Sequence, residues 1–191
     1  MTEEKQDRRT RRSREALIHA LLDLIEIKHY DQISVQEIIQ QADVGRSTFY
    51  AHYQNKDDLL ISGFEHLLER LVQQIVLGED GQLIFDTTLL FRHAYGHYEI
   101  YRTLIWGSGF ELLIKDGHAI LSQKVKARLE TVLTPQQSMA IPLPVIAYSV
   151  AGSLLVLLKW WLDNKMPYPP EQMNEIFQRL VMTGTRNILN H

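Results

Sequence analysis

A chain of 191 residues with 45% hydrophobic content is long enough for one or two compact domains with a real core. Its net charge of -3 excludes a globally basic protein, so any nucleic-acid surface has to be local. The absence of cysteine excludes a disulfide framework and thiolate metal sites and fits a reducing cytoplasm.

Residues 5–14 hold Lys5, Arg8, Arg9, Arg11, Arg12 and Arg14 against Asp7 alone, six cations to one anion and a local charge of +5. The N-terminus has no apolar core of the signal-peptide kind, which fits a cytoplasmic location. The stretch is expected to be a mobile cationic arm, suited to phosphate binding or minor-groove insertion beside a DNA reader. As a plain solvated tail it would serve solubility alone. Leu17, Ala20, Leu21, Leu24 and Ile25 then repeat at helical spacing and predict a helix over about 13–28.

Ser34 stands three residues before Glu37, the spacing of a capping box, and Ile33 and Ile38 occupy the positions of a hydrophobic staple. Val35, Ile38, Ile39 and Ala42 form one apolar face of a short helix. Asp43 falls where a left-handed turn residue is needed, and Gly45 can cap the next helix. Phe49 and Tyr53, four apart, can pack that helix inward and leave Arg46, Ser47, Tyr50 and Ala51 on its outer side. A short helix, a tight turn and a second short helix make a helix-turn-helix, whose second helix can lie in the major groove.

Asn55 can cap a fourth helix, with Asp57 and Asp58 complementing its dipole. Leu60, Phe64, Leu67, Leu68, Leu71 and Ile75 make its stripe and predict a helix to Leu77, stopped by Gly78. After a loop at 78–81, helices are expected near 82–96, 97–106 and 110–133, with Gly117 a candidate break in the last. A loop rich in proline at 134–144, a helix over 145–164, a break at 166–170 and a final helix opening at Pro170 complete the chain. The apolar run 145–158 is shorter than the ~20 residues of a membrane span and reads as a buried helix.

The string A-D-V-G-R-S-T-F-Y-A-H-Y-Q-N-K-D-D-L-L, from Ala42 to Leu60, resembles the DNA-binding signature of the TetR/AcrR family of bacterial regulators. That signature reads A-G-V-S-x-x-T-x-Y-x-H/Y-F-x-x-K-x-x-L-L, and the departures of this chain from it include Asp43 and Gly45. The stretch AYSVAGSLLVLLKWWLDNKMPYPPEQMNEIF resembles a sensor subgroup of the same family. The resemblance implies an all-α fold of about nine helices. Residues 1–54 would form the DNA-binding head and 55–191 the ligand-binding and dimerisation body, with the helix from Asn55 as the lever between them.

Arg46 is the candidate base reader, since arginine can grip guanine O6 and N7 with two hydrogen bonds. Ser47 and Ala51 are small enough to approach the groove floor. Gln36 matches a family position that reaches a base edge, and Thr48, Tyr50, His52 and Lys56 match positions that contact phosphate. In the family the last two long helices pair with their twins, and Leu154, Leu158, Trp161, Ile176 and Leu180 are the interface candidates for such a homodimer.

The body carries no sharp chemistry. His93 and His97 are four apart, but two histidines without a third ligand make a weak metal site, and packed histidines fit better. No nucleophile, base and orienter stand together, so no enzyme, cofactor or metal is expected. Phe91, Tyr95, Tyr98, Trp106, Phe110 and Tyr148 can be plain core or, as a group, the lining of an apolar effector pocket. The expected function is a ligand-responsive regulator, a repressor released from a palindromic double-stranded operator by a small hydrophobic or aromatic effector. A ligand-independent DNA-binding factor on the same fold is the alternative, and an enzyme using the pocket a weaker one.

Overall fold

A computed structural model describes residues 2–79, 82–105, 107–133 and 141–184, without the side chains of 2–7 and 9. Trp106 and most of the proline-rich loop at 134–144 lie outside the described residues, as do the side chains of Lys5 and Arg9. The helices are α1 (Thr2–Ile27), α2 (Val35–Gln41), α3 (Arg46–Tyr50), α4 (Lys56–Val72), α5 (Thr88–Gly96), α6 (Tyr98–Ile105), α7 (Ser108–Val132), α8 (Leu143–Asp163) and α9 (Pro170–Phe177). A 3-10 turn spans Tyr30–Gln32, a π-turn spans Gln178–Met182, and strands β1 (Ile75–Leu77) and β2 (Leu83–Phe85) form a hairpin. The chain packs as two units, residues 1–64 with 99–112 and residues 65–98 with 113–191.

In the first unit, α1 buries the stripe expected of it: Leu17, Ala20, Leu21, Leu24 and Ile25. The helix also runs back through the whole cationic stretch, so the segment expected as a mobile arm is helical. The reason is compositional: Glu, Lys, Arg and Gln between Thr2 and Glu15 are good helix formers, and pairs such as Arg11 with Glu15 (3.7 Å) stand four apart. Tyr30, Ile33, Ile38, Ile39, Phe49, Tyr53, Leu59 and Leu60 fill the core beneath α2 and α3. Ile100, Tyr101 and Leu104 of α6 and Phe110 at the start of α7 are buried in the same unit.

In the second unit, α4 stops at Val72 rather than at Leu77. Ile75–Leu77 instead pairs antiparallel with Leu83–Phe85, Ile75 opposite Phe85 and Leu77 opposite Leu83. β-branched and aromatic residues on either side of a glycine-flanked turn favour a hairpin over a helix. The same pairing delays the next helix to Thr88. Arg128 of α7 holds the hairpin through Nε to the Ile75 carbonyl at 3.1 Å. Asn174 of α9 ties down the chain just past the same end, its Oδ1 accepting from the Thr87 amide (2.9 Å) and hydroxyl (3.0 Å).

Helix α7 is continuous through Gly117. Phe91 meets Trp161 edge-to-face at 5.3 Å, and Phe85 meets Phe177 at 5.9 Å. At 21 residues, α8 is long and apolar enough to cross a membrane, so length does not settle its role. Its own packing supports a core helix, because Ile146, Ala147, Val150, Ala151, Leu154, Leu155, Leu158, Trp161 and Leu162 are buried within the unit.

Candidate nucleic-acid interface

The helix-turn-helix is built from local signals. Ser34 Oγ accepts from the Glu37 amide at 3.3 Å, and Glu37 Oε2 accepts from the Ser34 amide at 2.9 Å, which closes the capping box. Lys28 at the end of α1 donates to the same carboxylate. That ammonium, then the Ser34 amide and hydroxyl, hold the Glu37 carboxyl down at about 2. Ile33 and Ile38, the staple pair, are both buried.

Asp43 takes the left-handed conformation the turn requires, with φ of 50°. Aspartate tolerates it better than most residues with a side chain. The Val44 amide then donates to Ile39 O at 3.2 Å, closing the turn, and Gly45 caps α3. Phe49 is fully buried and Tyr53 nearly so, their rings 5.9 Å apart, so α3 is pinned from beneath.

Pinned there, α3 turns its other side outward. Arg46, Ser47, Tyr50 and Ala51 are exposed, as is Gln36 on α2, while Thr48 and His52 are half-buried. The structure therefore brings the candidate base readers and Tyr50 onto the outer side of one motif, with Thr48 and His52 partly covered beside them. The Arg46 guanidinium lies 5.9 Å from the Tyr50 ring centroid, within cation–π range, and Tyr50 meets Phe49 edge-on at 5.2 Å. Arg14, one of the six cations, is exposed but tied to its neighbours. It donates to the Tyr53 hydroxyl and to Ser62 Oγ, each at 3.3 Å.

Lys56 is placed differently from the rest of the set. Its Nζ donates to the carbonyls of Tyr30 (2.8 Å) and Ile33 (2.9 Å) and lies 4.4 Å from the Tyr30 ring centroid. The Tyr30 hydroxyl donates to Asp57, and burial, with that carboxylate second, pushes the phenol pKa up. No spacing rule could have found this cluster, because its partners are 23 to 27 residues apart. Asn55 caps α4 as expected, accepting from the Asp58 amide at 2.9 Å.

The other candidates are distributed as follows. Phe91, Tyr95, Tyr98 and Tyr148 belong to the second unit and Phe110 to the first. Phe91 and Phe110 are core, Tyr98 is half-buried, and Tyr95 and Tyr148 are 57% and 64% exposed. Tyr148 rests edge-on against His118 at 4.3 Å. The rings of His93 and His97 lie 4.6 Å apart, and no cluster of three or more metal-binding side chains occurs among the described residues.

Of the interface candidates, Leu154, Leu158 and Trp161 lie inside the core of their own unit and have no surface to offer a second chain. The face of α8 turned to solvent is the one that carries its polar residues Ser149, Lys159 and Asp163, all exposed. That face carries Val145, Tyr148, Val156 and Trp160, 44–64% exposed, and Leu180 beyond α9 is also exposed while Ile176 is half-buried.

These placements meet an independent likeness. Residues 17–62 match the family model described as bacterial regulatory proteins, tetR family, and residues 82–183 match a transcriptional regulator C-terminal region. The uncharacterized HTH-type transcriptional regulator YxbF of Bacillus subtilis (strain 168) is 26% identical over 181 residues, 91% of this chain and 46% of that protein. The dhaKLM operon transcriptional activator DhaS of Lactococcus lactis subsp. lactis (strain IL1403) is 42% identical over 53 residues, 28% of each chain. The chain thus spans about half or less of the curated relatives it matches. A tetR-family regulator structure from Syntrophomonas wolfei superimposes with a TM-score of 0.64 at 20% identity, covering 91% of this chain and 95% of that one. With one model on the helix-turn-helix and a second on more than half the chain, this protein belongs to the TetR family of bacterial regulatory proteins.

Proposed function

We propose that this protein is a sequence-specific transcriptional regulator working as a homodimer on a palindromic operator in double-stranded DNA. The observation that carries the reading is the outer side of α2 and α3. There Gln36, Arg46, Ser47, Tyr50 and Ala51 are exposed while Phe49 and Tyr53 beneath them are buried. Arg46 and Gln36 read base edges, and Thr48, Tyr50 and His52 set register on phosphates. A dimer would place two such heads in successive major grooves about one helical turn apart. The exposed apolar residues of α8 and Leu180 are the surface proposed to meet its twin.

The head of residues 1–54 reads DNA, and the body of 55–191 binds a small hydrophobic or aromatic effector that lowers operator affinity. Effector and DNA compete through one conformational equilibrium, so the coupling is reciprocal. The chain passes between the two units within α4, at the start of α6 and within α7. Among the described pocket candidates, Tyr98 is the one neither buried nor fully exposed. Repression is the direction we propose, in the cytoplasm, with no catalytic step. The opposite sign, activation, is favoured by the likeness to the dhaKLM operon activator DhaS.

The test is selection of duplexes from a random pool by the full chain, followed by titration of Arg46→Ala. The variant is expected to weaken binding and to relax one base position per half-site. Equal loss on every sequence would reassign Arg46 to the backbone, and no selected palindrome would end the reading. A panel of aromatic and aliphatic compounds that leaves operator affinity unchanged would favour the ligand-independent factor.

A further inference from the structure

The family position held by Lys56 implies a phosphate contact, but its surroundings here point inward. An ammonium has three donors. Two are taken by the backbone carbonyls of Tyr30 and Ile33, at 2.8 and 2.9 Å, and the charge sits over the Tyr30 ring. Both acceptors belong to the lead-in to α2, since Ile33 directly precedes the cap residue Ser34. Asp57, next along α4, takes the hydroxyl of Tyr30 from the same side. Residues 56 and 57 therefore clasp the 30–33 turn and tie the start of α4 to the start of α2. Charge-assisted bonds of this kind are roughly twice as strong as neutral ones. A phosphate would have to share the one remaining donor or break the clasp.

We propose that Lys56 is a positioning residue for base recognition, not a phosphate ligand. It holds α2 against α4, so that Gln36 and, across the turn, Arg46 meet base edges in register. The inference rests on the DNA-reading function proposed above.

The test uses the full chain, a duplex selected from a random pool by the unsubstituted protein, and a random-sequence duplex of equal length, each titrated over a salt series. Lys56→Met keeps the apolar stem and removes the donors. Lys56→Gln removes the charge but keeps two amide donors. For Lys56→Met, the expected result is a fall of about 10-fold in the ratio of selected to random affinity. The salt slope on the random duplex stays unchanged, because register rather than phosphate contact is lost. Lys56→Gln is expected to recover most of that ratio. A salt slope reduced by about 0.9 per head in both variants, with the ratio intact, would make Lys56 a phosphate ligand and overturn the proposal. A lower melting temperature with ratio and slope both intact would make it a fold-stabilising residue only, and overturn it equally. If the unsubstituted protein prefers no duplex over random sequence, the underlying DNA-reading function fails first, before any variant is measured.

Discussion

Asp31 receives both the hydroxyl and the backbone amide of Ser108, the amide at 3.3 Å, across 77 residues of chain. The turn beside α1 is thereby docked on the first residue of α7, with a carboxylate at a helix N-terminus where its charge is favourable. The Ser108 hydroxyl is the main reason the Asp31 carboxyl is held below its ordinary range. Glycines flank the contact because nothing larger fits. A Cβ on Gly107 would lie 2.8 Å from Asp31 Oδ2, and one on Gly109 2.6 Å from Leu104 Cδ2 and 3.0 Å from the Tyr30 ring.

Gly109→Ala is therefore expected to destabilise the first unit by about 1–3 kcal/mol, the usual range for overpacking a filled site. Gly96→Ala is the control, since a Cβ there meets nothing within 4 Å and Gly96 ends a helix. It should be neutral or stabilising by up to about 1 kcal/mol. Thermal melting of the two variants side by side decides; equal effects would refute the docking.

The capping box predicts a stability loss with a pH signature. Ser34→Ala should cost about 1 kcal/mol. The Glu37 carboxyl is depressed to about 2 in the folded state, so the unfolded chain binds the extra proton as pH falls. Its stabilisation is complete above the ordinary glutamate value of about 4.3 and is lost as pH drops through about 2. Glu37→Gln should flatten denaturation midpoints over that window; an unaltered pH profile would show that the carboxylate is not held.

His93 titrates in a different window. Burial first, then His97 and Arg70, pull its pKa down to about 4. The folded state thus keeps the ring neutral where the unfolded chain, near 6.5, already takes a proton. Stability is full above about 6.5 and falls toward about 4, by at most about 1.4 kcal/mol per pH unit. His93→Gln should reduce that slope in urea titrations across the same range, and a slope that survives the substitution would place the buried proton-binding group elsewhere.

Leu154 and Val156 are two residues apart on α8 and face opposite environments, 0% and 64% exposed. Leu154→Ala should cost about 2–5 kcal/mol of unfolding free energy, as a cavity in the core. Val156→Glu should leave the fold intact and lower the dimer fraction in sedimentation, because a charge would enter the proposed apolar interface. A dimer indifferent to Val156→Glu would move the interface off this face.

The helix-turn-helix was legible because its determinants are local. The Ser34–Glu37 box, the Asn55–Asp58 cap, the turn at Asp43 and the Phe49–Tyr53 spacing each act within four residues. The hairpin was less legible, although its turn residues were present. Ile75 extends the helical stripe of Leu67, Leu68 and Leu71, and strands of three residues are too short to show alternation. The cationic stretch read as an arm because charge alone does not separate a solvated tail from a solvated helix.

By itself the amino-acid order determined which segments coil, where α2 and α4 begin, and which side chains of α3 have no reason to be buried, because caps and helical spacing are short-range. Only packing decided that Lys56 turns to the carbonyls of Tyr30 and Ile33 and that Ser108 reaches Asp31. Those outcomes depend on groups far apart in the chain competing for the same neighbours. No local pattern records that competition.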